Sequence, residues 1–291
     1  MAIRRGLALL LGCCCLPSGA AAGDHAAASA DHAAKDDPPE AVFTERAFVE
    51  RNLELEADAD FDREDGNELD LAARGTWTWA NRFQLGLEVP YTVTYPRDEP
   101  QQSSLSDVGV SAQFVFCCER DEGIAFFSLR ASVDAPTGSV SKSIGGNGAF
   151  EVSLLGDYGV PVVPGLDELS VQAQITYDQE LGTTPDERET AEELRRPAVR
   201  EKEIQWNLAL VQPLFERRFT PVLELLGSSV VDAADPADED TSVQLGVGFW
   251  IAPFDTGPFS SLSLGVGYRF PISRPRGDDG GVMATLQWTF D

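Results

Sequence analysis

The chain has 291 residues, of which 48 are Asp or Glu and 22 are Lys or Arg, giving a formal charge of −26. So acidic a chain argues against nucleic-acid binding, because phosphate backbones bind cationic partners. Mean hydropathy is −0.16, and no apolar run reaches the roughly 18 residues of a membrane helix. Yet 43% apolar residues and 26 glycines are too many for a disordered chain.

The first 22 residues read as an export signal. Arg4 and Arg5 form a short positive region, residues 6–16 an apolar core too short to span a bilayer, and Pro17, Ser18 and the small residues after them a cleavage region near Ala22 or Gly23. Loss of the two arginines with this segment takes the charge to about −28. Leu10-Leu11-Gly12-Cys13 also resembles a lipoprotein cleavage box, with Cys13 as the lipidated residue, but Leu11 fits it poorly and the apolar core before it is very short, so ordinary cleavage is the expectation and lipoprotein cleavage the alternative. Cys13, Cys14 and Cys15 fall inside the signal, leaving Cys117 and Cys118 in the mature chain. Adjacent cysteines can form a strained vicinal disulfide; a loop disulfide or two spectator thiols is the expectation here.

Residues 23–46 are rich in Ala, Asp, Pro and His without periodicity and read as a flexible acidic tail. The tail carries both histidines, His25 and His32, each within Asp-His-Ala-Ala. Weak divalent-metal binding there is conceivable, and a solvated leader is the simpler expectation.

From residue 47 onward the sequence alternates with period two, so successive side chains face opposite sides of a strand. Leu69, Leu71, Ala73, Gly75, Trp77 and Trp79 share one face, against Glu68, Asp70, Arg74, Thr76 and Thr78 on the other. The next segment sets Phe83, Leu85, Leu87, Val89, Tyr91, Val93 and Tyr95 against Gln84, Gly86, Glu88, Thr92 and Thr94. Similar apolar rows run over 108–116, 127–133, 150–160, 169–177, 204–210, 243–251, 262–270 and 282–290, with a weaker one at 219–225 broken by Pro221 and Gly227. A first strand over residues 48–57 brings the expected number to twelve, with an uncertainty of two from the weakest segments.

Three features select a membrane barrel over a soluble one. The strands, at about 9–13 residues, exceed the usual 5–6 of soluble sheets. Short connections alternate with longer ones richer in charge or glycine, as in outer-membrane barrels with short periplasmic turns. Trp77, Trp79, Tyr91, Tyr95, Tyr177, Tyr268 and Trp288 are placed near strand ends, where aromatic girdles meet the lipid interface. An even number of strands also puts both termini on the periplasmic side. The expectation is an all-β, transmembrane antiparallel barrel of about 12 strands over residues 47–291, in the outer membrane of a Gram-negative bacterium.

The last strand, Val282-x-Ala284-x-Leu286-x-Trp288-x-Phe290, resembles the C-terminal signal read by the outer-membrane barrel assembly machinery, departing from it only in the trailing Asp291. Mid-chain, Ser106-Asp107-Val108-Gly109-Val110, then Ala135-Pro136-Thr137-Gly138, then Gly145-Gly146-Asn147-Gly148 resemble the outer-membrane transporter family called MetA-pathway of phenol degradation. That resemblance implies a β-barrel passing small, often aromatic, compounds, and no catalytic residue. Turn chemistry accounts for the same prolines and glycines, and the two readings are compatible.

With apolar residues toward lipid, the opposite parity faces the lumen. The candidate pore-lining residues are Glu54, Arg74, Glu88, Arg130, Glu151, Glu224 and Arg269, within a set that is net acidic. Twelve strands enclose more space than the eight that side chains can fill. A salt-bridge lattice leaving a residual pore is expected, since buried charges pair; an open acidic pore is the alternative. Either would attract cations or neutral hydrogen-bonding solutes.

An enzyme is not expected, because both histidines lie outside the barrel and a Ser–His or His–Asp constellation cannot form within it. No phosphate loop or metal-ligand spacing appears, so no cofactor or metal is expected. The expected function is passive passage of small molecules. The alternative is a non-transporting structural or surface-interaction protein, whose acidic loops, such as 179–201, meet a partner or bind lipopolysaccharide through divalent ions.

Overall fold

The computed structural model describes residues 41–42, 45, 51–62, 66–79, 82–97, 100–120, 123–138, 147–160, 169–182, 201–215, 217–232, 241–254, 261–273 and 278–290. The expected export signal, the two histidines and residues 183–200 of the expected 179–201 connection lie outside them.

Alternation over long segments folds, as expected, into strands. They are β1 (Arg51–Asp62), β2 (Gly66–Trp79), β3 (Phe83–Pro96), β4 (Gln102–Leu105), β5 (Val108–Arg120), β6 (Gly123–Ala135), β7 (Ala149–Val160), β8 (Leu169–Glu180), β9 (Lys202–Val211), β10 (Phe219–Asp232), β11 (Thr241–Phe254), β12 (Ser261–Ser273) and β13 (Asp278–Phe290). Every neighbouring pair is antiparallel, and β13 closes on β1 in a register running from Arg51↔Phe290 to Asp62↔Asp278. β4 and β5 occupy one place, because both pair with β3, at 91–94 and 83–88 respectively. The thirteen strands therefore make a closed twelve-strand barrel. Closure leaves no unpaired sheet edge, the condition under which a sheet can sit in lipid.

Exposure is inverted relative to a soluble protein. Leu53, Leu55, Leu87, Val110, Leu129, Leu154 and Ile175 are among the exposed large apolar residues, while Gln113, Ser128, Ser153, Gln172, Thr176, Glu224 and Gln287 are buried. Soluble proteins keep contiguous apolar patches small, so an outer face apolar all round marks a lipid-facing wall. Bulky outward rings also cover outward glycines: a Cβ at Gly156 would lie 3.3 Å from the Phe127 ring.

Several boundaries differ from the sequence reading. β4 falls where a loop was expected, and the β4/β5 break lies opposite Pro90, which has no N–H to donate and whose carbonyl accepts from Ser106 N at 3.1 Å. β10 runs for 14 residues despite Pro221, because the proline sits near its start, where its carbonyl still accepts from Gln212 N at 3.2 Å. Cys117 and Cys118 belong to β5, paired with Phe126 and Ala125, rather than to a loop. Tyr91 and Tyr268 lie in mid-strand, whereas Trp77 and Trp79, 56% and 61% exposed, do mark the end of β2.

Candidate functional site: the barrel interior

All seven candidate lining residues lie on the inward parity of their strands, and they divide into separate groups. On one wall, Arg74 of β2 sits between neighbours: its Nη2 is 2.8 Å from Glu88 Oε2 on β3, and its Nη1 is 3.5 Å from Glu54 Oε1 on β1. Nε also donates to Glu88 Oε2 at 2.9 Å. Register explains the cluster, since Arg74 stands directly opposite both Glu54 and Glu88.

Arg269 of β12 forms the second cluster. Its Nη2 is 3.0 Å from Asp58 Oδ2 and also pairs with Asp60, both on β1. β13 lies between these strands, and Gly281 is its residue at the crossing. A Cβ there would fall 2.5 Å from Asp60 Oδ1 and 2.9 Å from Arg269 Nε. Glycine is thus what lets the guanidinium reach across a strand.

The facing wall, β5 to β9, is mostly amide and hydroxyl. Gln113 Nε2 donates to Ser128 Oγ at 3.0 Å, Thr176 Oγ1 to Ser153 Oγ at 3.0 Å, and Ser153 Oγ to Glu151 Oε1 at 2.7 Å. Asp157 accepts from Ser170 Oγ at 2.6 Å and from Gln172 Nε2 at 3.2 Å. These side chains hold one another, as a low-dielectric interior favours.

Arg130 and Glu224 meet neither arginine cluster. They contact residues of the segment expected to be a free tail: Ala41 and Val42 are 1% and 8% exposed. Ala41 N donates to Gln172 Oε1 at 3.1 Å, Val42 N to Glu224 Oε1 at 2.8 Å and Glu45 N to Gln174 Oε1 at 3.0 Å. The Glu45 carboxylate pairs with the Arg130 guanidinium. Ala41 and Val42 also complete an apolar cluster with Ala209, Val211, Val222 and Trp250, against which Met283 packs. These three residues therefore lie inside the barrel, because their apolar side chains find an apolar patch and their N–H groups find side-chain acceptors there.

Sequence reading missed this patch and Trp250 within it. A signal existed: Gly246, Gly248, Gly265 and Gly267 all fall on inward positions of β11 and β12. A Cβ at Gly265 would lie 2.8 Å from the Trp250 ring, and one at Gly248 2.8 Å from Val42 Cγ2. Four inward glycines leave room for an indole and a length of chain.

A second motif acts as a clasp. Asp107 accepts from Gly138 N at 2.7 Å and from Gly148 N at 2.8 Å. Val108 N donates to Thr137 Oγ1 at 2.9 Å, and Thr137 Oγ1 donates to Ser106 O at 3.1 Å. Gly148 adopts φ +65°, a conformation that suits glycine. The Ser106-Asp107, Pro136-Thr137-Gly138 and Asn147-Gly148 strings thus tie the β4/β5 break to the β6–β7 connection.

This fold and interior define an outer-membrane-type β-barrel whose lumen holds part of its own chain. Among solved structures, the COG4313 outer-membrane channel from Pseudomonas putida F1 is similar at 11% identity and TM-score 0.59, over 87% of this chain and 100% of that one. The translocator domain of the autotransporter NalP from Neisseria meningitidis is similar at 11% identity and TM-score 0.50, over 85% and 90%. No family model and no curated protein matches the chain.

Proposed function

We propose that the protein is an outer-membrane channel for passive passage of small molecules, its lumen narrowed by Ala41, Val42 and Glu45. The observation that carries this reading is the inside-out wall: apolar side chains around the outside, and a hydrogen-bonded polar surface within a barrel of twelve strands. Such a barrel is wider than the eight-stranded kind that side chains fill. The shape likeness to a solved outer-membrane channel supports the reading. So does the family resemblance of the Ser106-Asp107 and Pro136-Thr137-Gly138 strings, from which passage of aromatic compounds would follow.

In this reading the chain is exported by a cleaved signal, inserted by the barrel assembly machinery through β13, and surrounded by outer-membrane phospholipid and lipopolysaccharide. The acidic wall of β1–β3 favours cations and neutral polar solutes. Reconstitution of the full chain in planar bilayers tests it. Discrete conductance that rises when Val42→Gly removes its side chain from the luminal apolar cluster supports a channel. No conductance from either protein, together with no solute flux into proteoliposomes, favours the structural or surface-interaction reading instead.

A further inference from the structure

The groove filled by Ala41, Val42 and Glu45 has the chemistry of a ligand site. One part is apolar, formed by Ala209, Val211, Val222 and Trp250. Gln172, Gln174 and Glu224 supply acceptor oxygens, and Arg130 supplies a guanidinium that holds a carboxylate. Two donors remain unused. Trp250 Nε1 and Arg130 Nε are buried with no hydrogen-bond partner among the described residues, and Trp250 is only 5% exposed. Glu45 Oε2 is likewise buried without a partner, so this internal carboxylate leaves half of a guanidinium fork unused, where native interiors pair nearly all such groups.

We propose that Ala41, Val42 and Glu45 are an internal stand-in for the transported solute, and that the groove binds a small molecule with an apolar body and one carboxylate. The solute carboxylate takes the place of Glu45 at Arg130 and engages Nε as well, because a guanidinium fork donates to two oxygens at once. The apolar body takes the place of Ala41 and Val42 beside Trp250. Arg130 stands in register with Gln113 and Ser153, and although the Glu151 and Asp134 carboxylates also act on it, it gives a solute carboxylate a cation within an acidic lumen. This rests on the channel reading and names its substrate class.

The test uses the purified full-length protein in nanodiscs, with 3-phenylpropanoate and its neutral alcohol as probes. Calorimetry and Trp250 fluorescence report binding. The acid is expected to bind about tenfold or more tightly than the alcohol, in line with a charge-assisted pair. Glu45→Gln and Arg130→Gln break the same ion pair and are expected to act oppositely. The first weakens the internal competitor and tightens acid binding about threefold to tenfold; the second abolishes the preference for acid over alcohol. Trp250→Ala, which removes the ring against which the apolar body packs, weakens binding of the acid and the alcohol alike. If the two ion-pair variants behave alike, or the wild type binds acid and alcohol equally, residues 41–45 are structural packing and the proposal falls. Binding is read without a membrane potential or flux, so intact binding with no flux would sink the channel reading alone.

Discussion

Arg74 and Arg269 each hold two carboxylates, and the wall around them carries more acids than bases. Removing the cation strands the acids in a partly desolvated interior, which is the costly way to break such a group. The Arg74 side chain is 28% exposed, so Arg74→Gln should cost less than a fully buried pair, on the order of 1–3 kcal/mol. Urea unfolding of the barrel in detergent micelles is the measurement. Adding Glu54→Gln and Glu88→Gln to Arg74→Gln should recover part of the loss; a further additive loss would show that the cluster does not act as a unit. Gly281→Val should cost more than loss of the Arg269 pairs, since its side chain meets the Ala59 carbonyl as well as their path. Parity made the inward direction of these residues legible. Which arginine meets which acid depends on register across three strands, and no single segment encodes that.

At the scale of elements, the β4/β5 break and its clasp show why a strand was read as a loop. β4 has four residues, too few for alternation to register, and its hold comes from Pro90, Asp107 and Thr137 in three parts of the chain. Asp107→Ala removes the acceptor for two backbone donors and should cost about 2 kcal/mol. Faster limited proteolysis within the 138–148 connection, with the rest of the barrel protected, would register it; unchanged proteolysis would mean that the clasp bears no load. Residues 41–45 pose the opposite difficulty. Their composition is that of a tail, and only the inward glycines of β11 and β12 hint that the lumen leaves them space. Val42→Gly removes a side chain that completes the apolar cluster beside Trp250 and should raise single-channel conductance severalfold, whereas Gly156→Val, on the outer face, should leave it unchanged.

At the scale of the whole molecule, the period-two pattern was sufficient for the architecture because side-chain direction on a strand has only two values. Twelve apolar rows, with one broken member counted as a single place, correspond to the twelve positions around the barrel. The same pattern fixes the sign of the interior field. With Glu54, Glu56, Asp58, Asp60, Glu68, Asp70 and Glu88 set against Arg74 and Arg269 on the β1–β3 and β12 side, a salt gradient across a bilayer should give a reversal potential favouring potassium over chloride. An anion-selective potential would mean that the acidic wall does not face the conducting path.

The most direct measurement of the inside-out arrangement is tryptophan quenching in bilayers of brominated phospholipid, with single-tryptophan variants keeping either Trp77 or Trp250. Bromine on the acyl chains quenches an indole only at close range. The account predicts strong quenching for Trp77, on the outer face, and little for Trp250, beside Val42 in the lumen. Quenched Trp250 with unquenched Trp77 would place the apolar face inward and contradict the barrel described above.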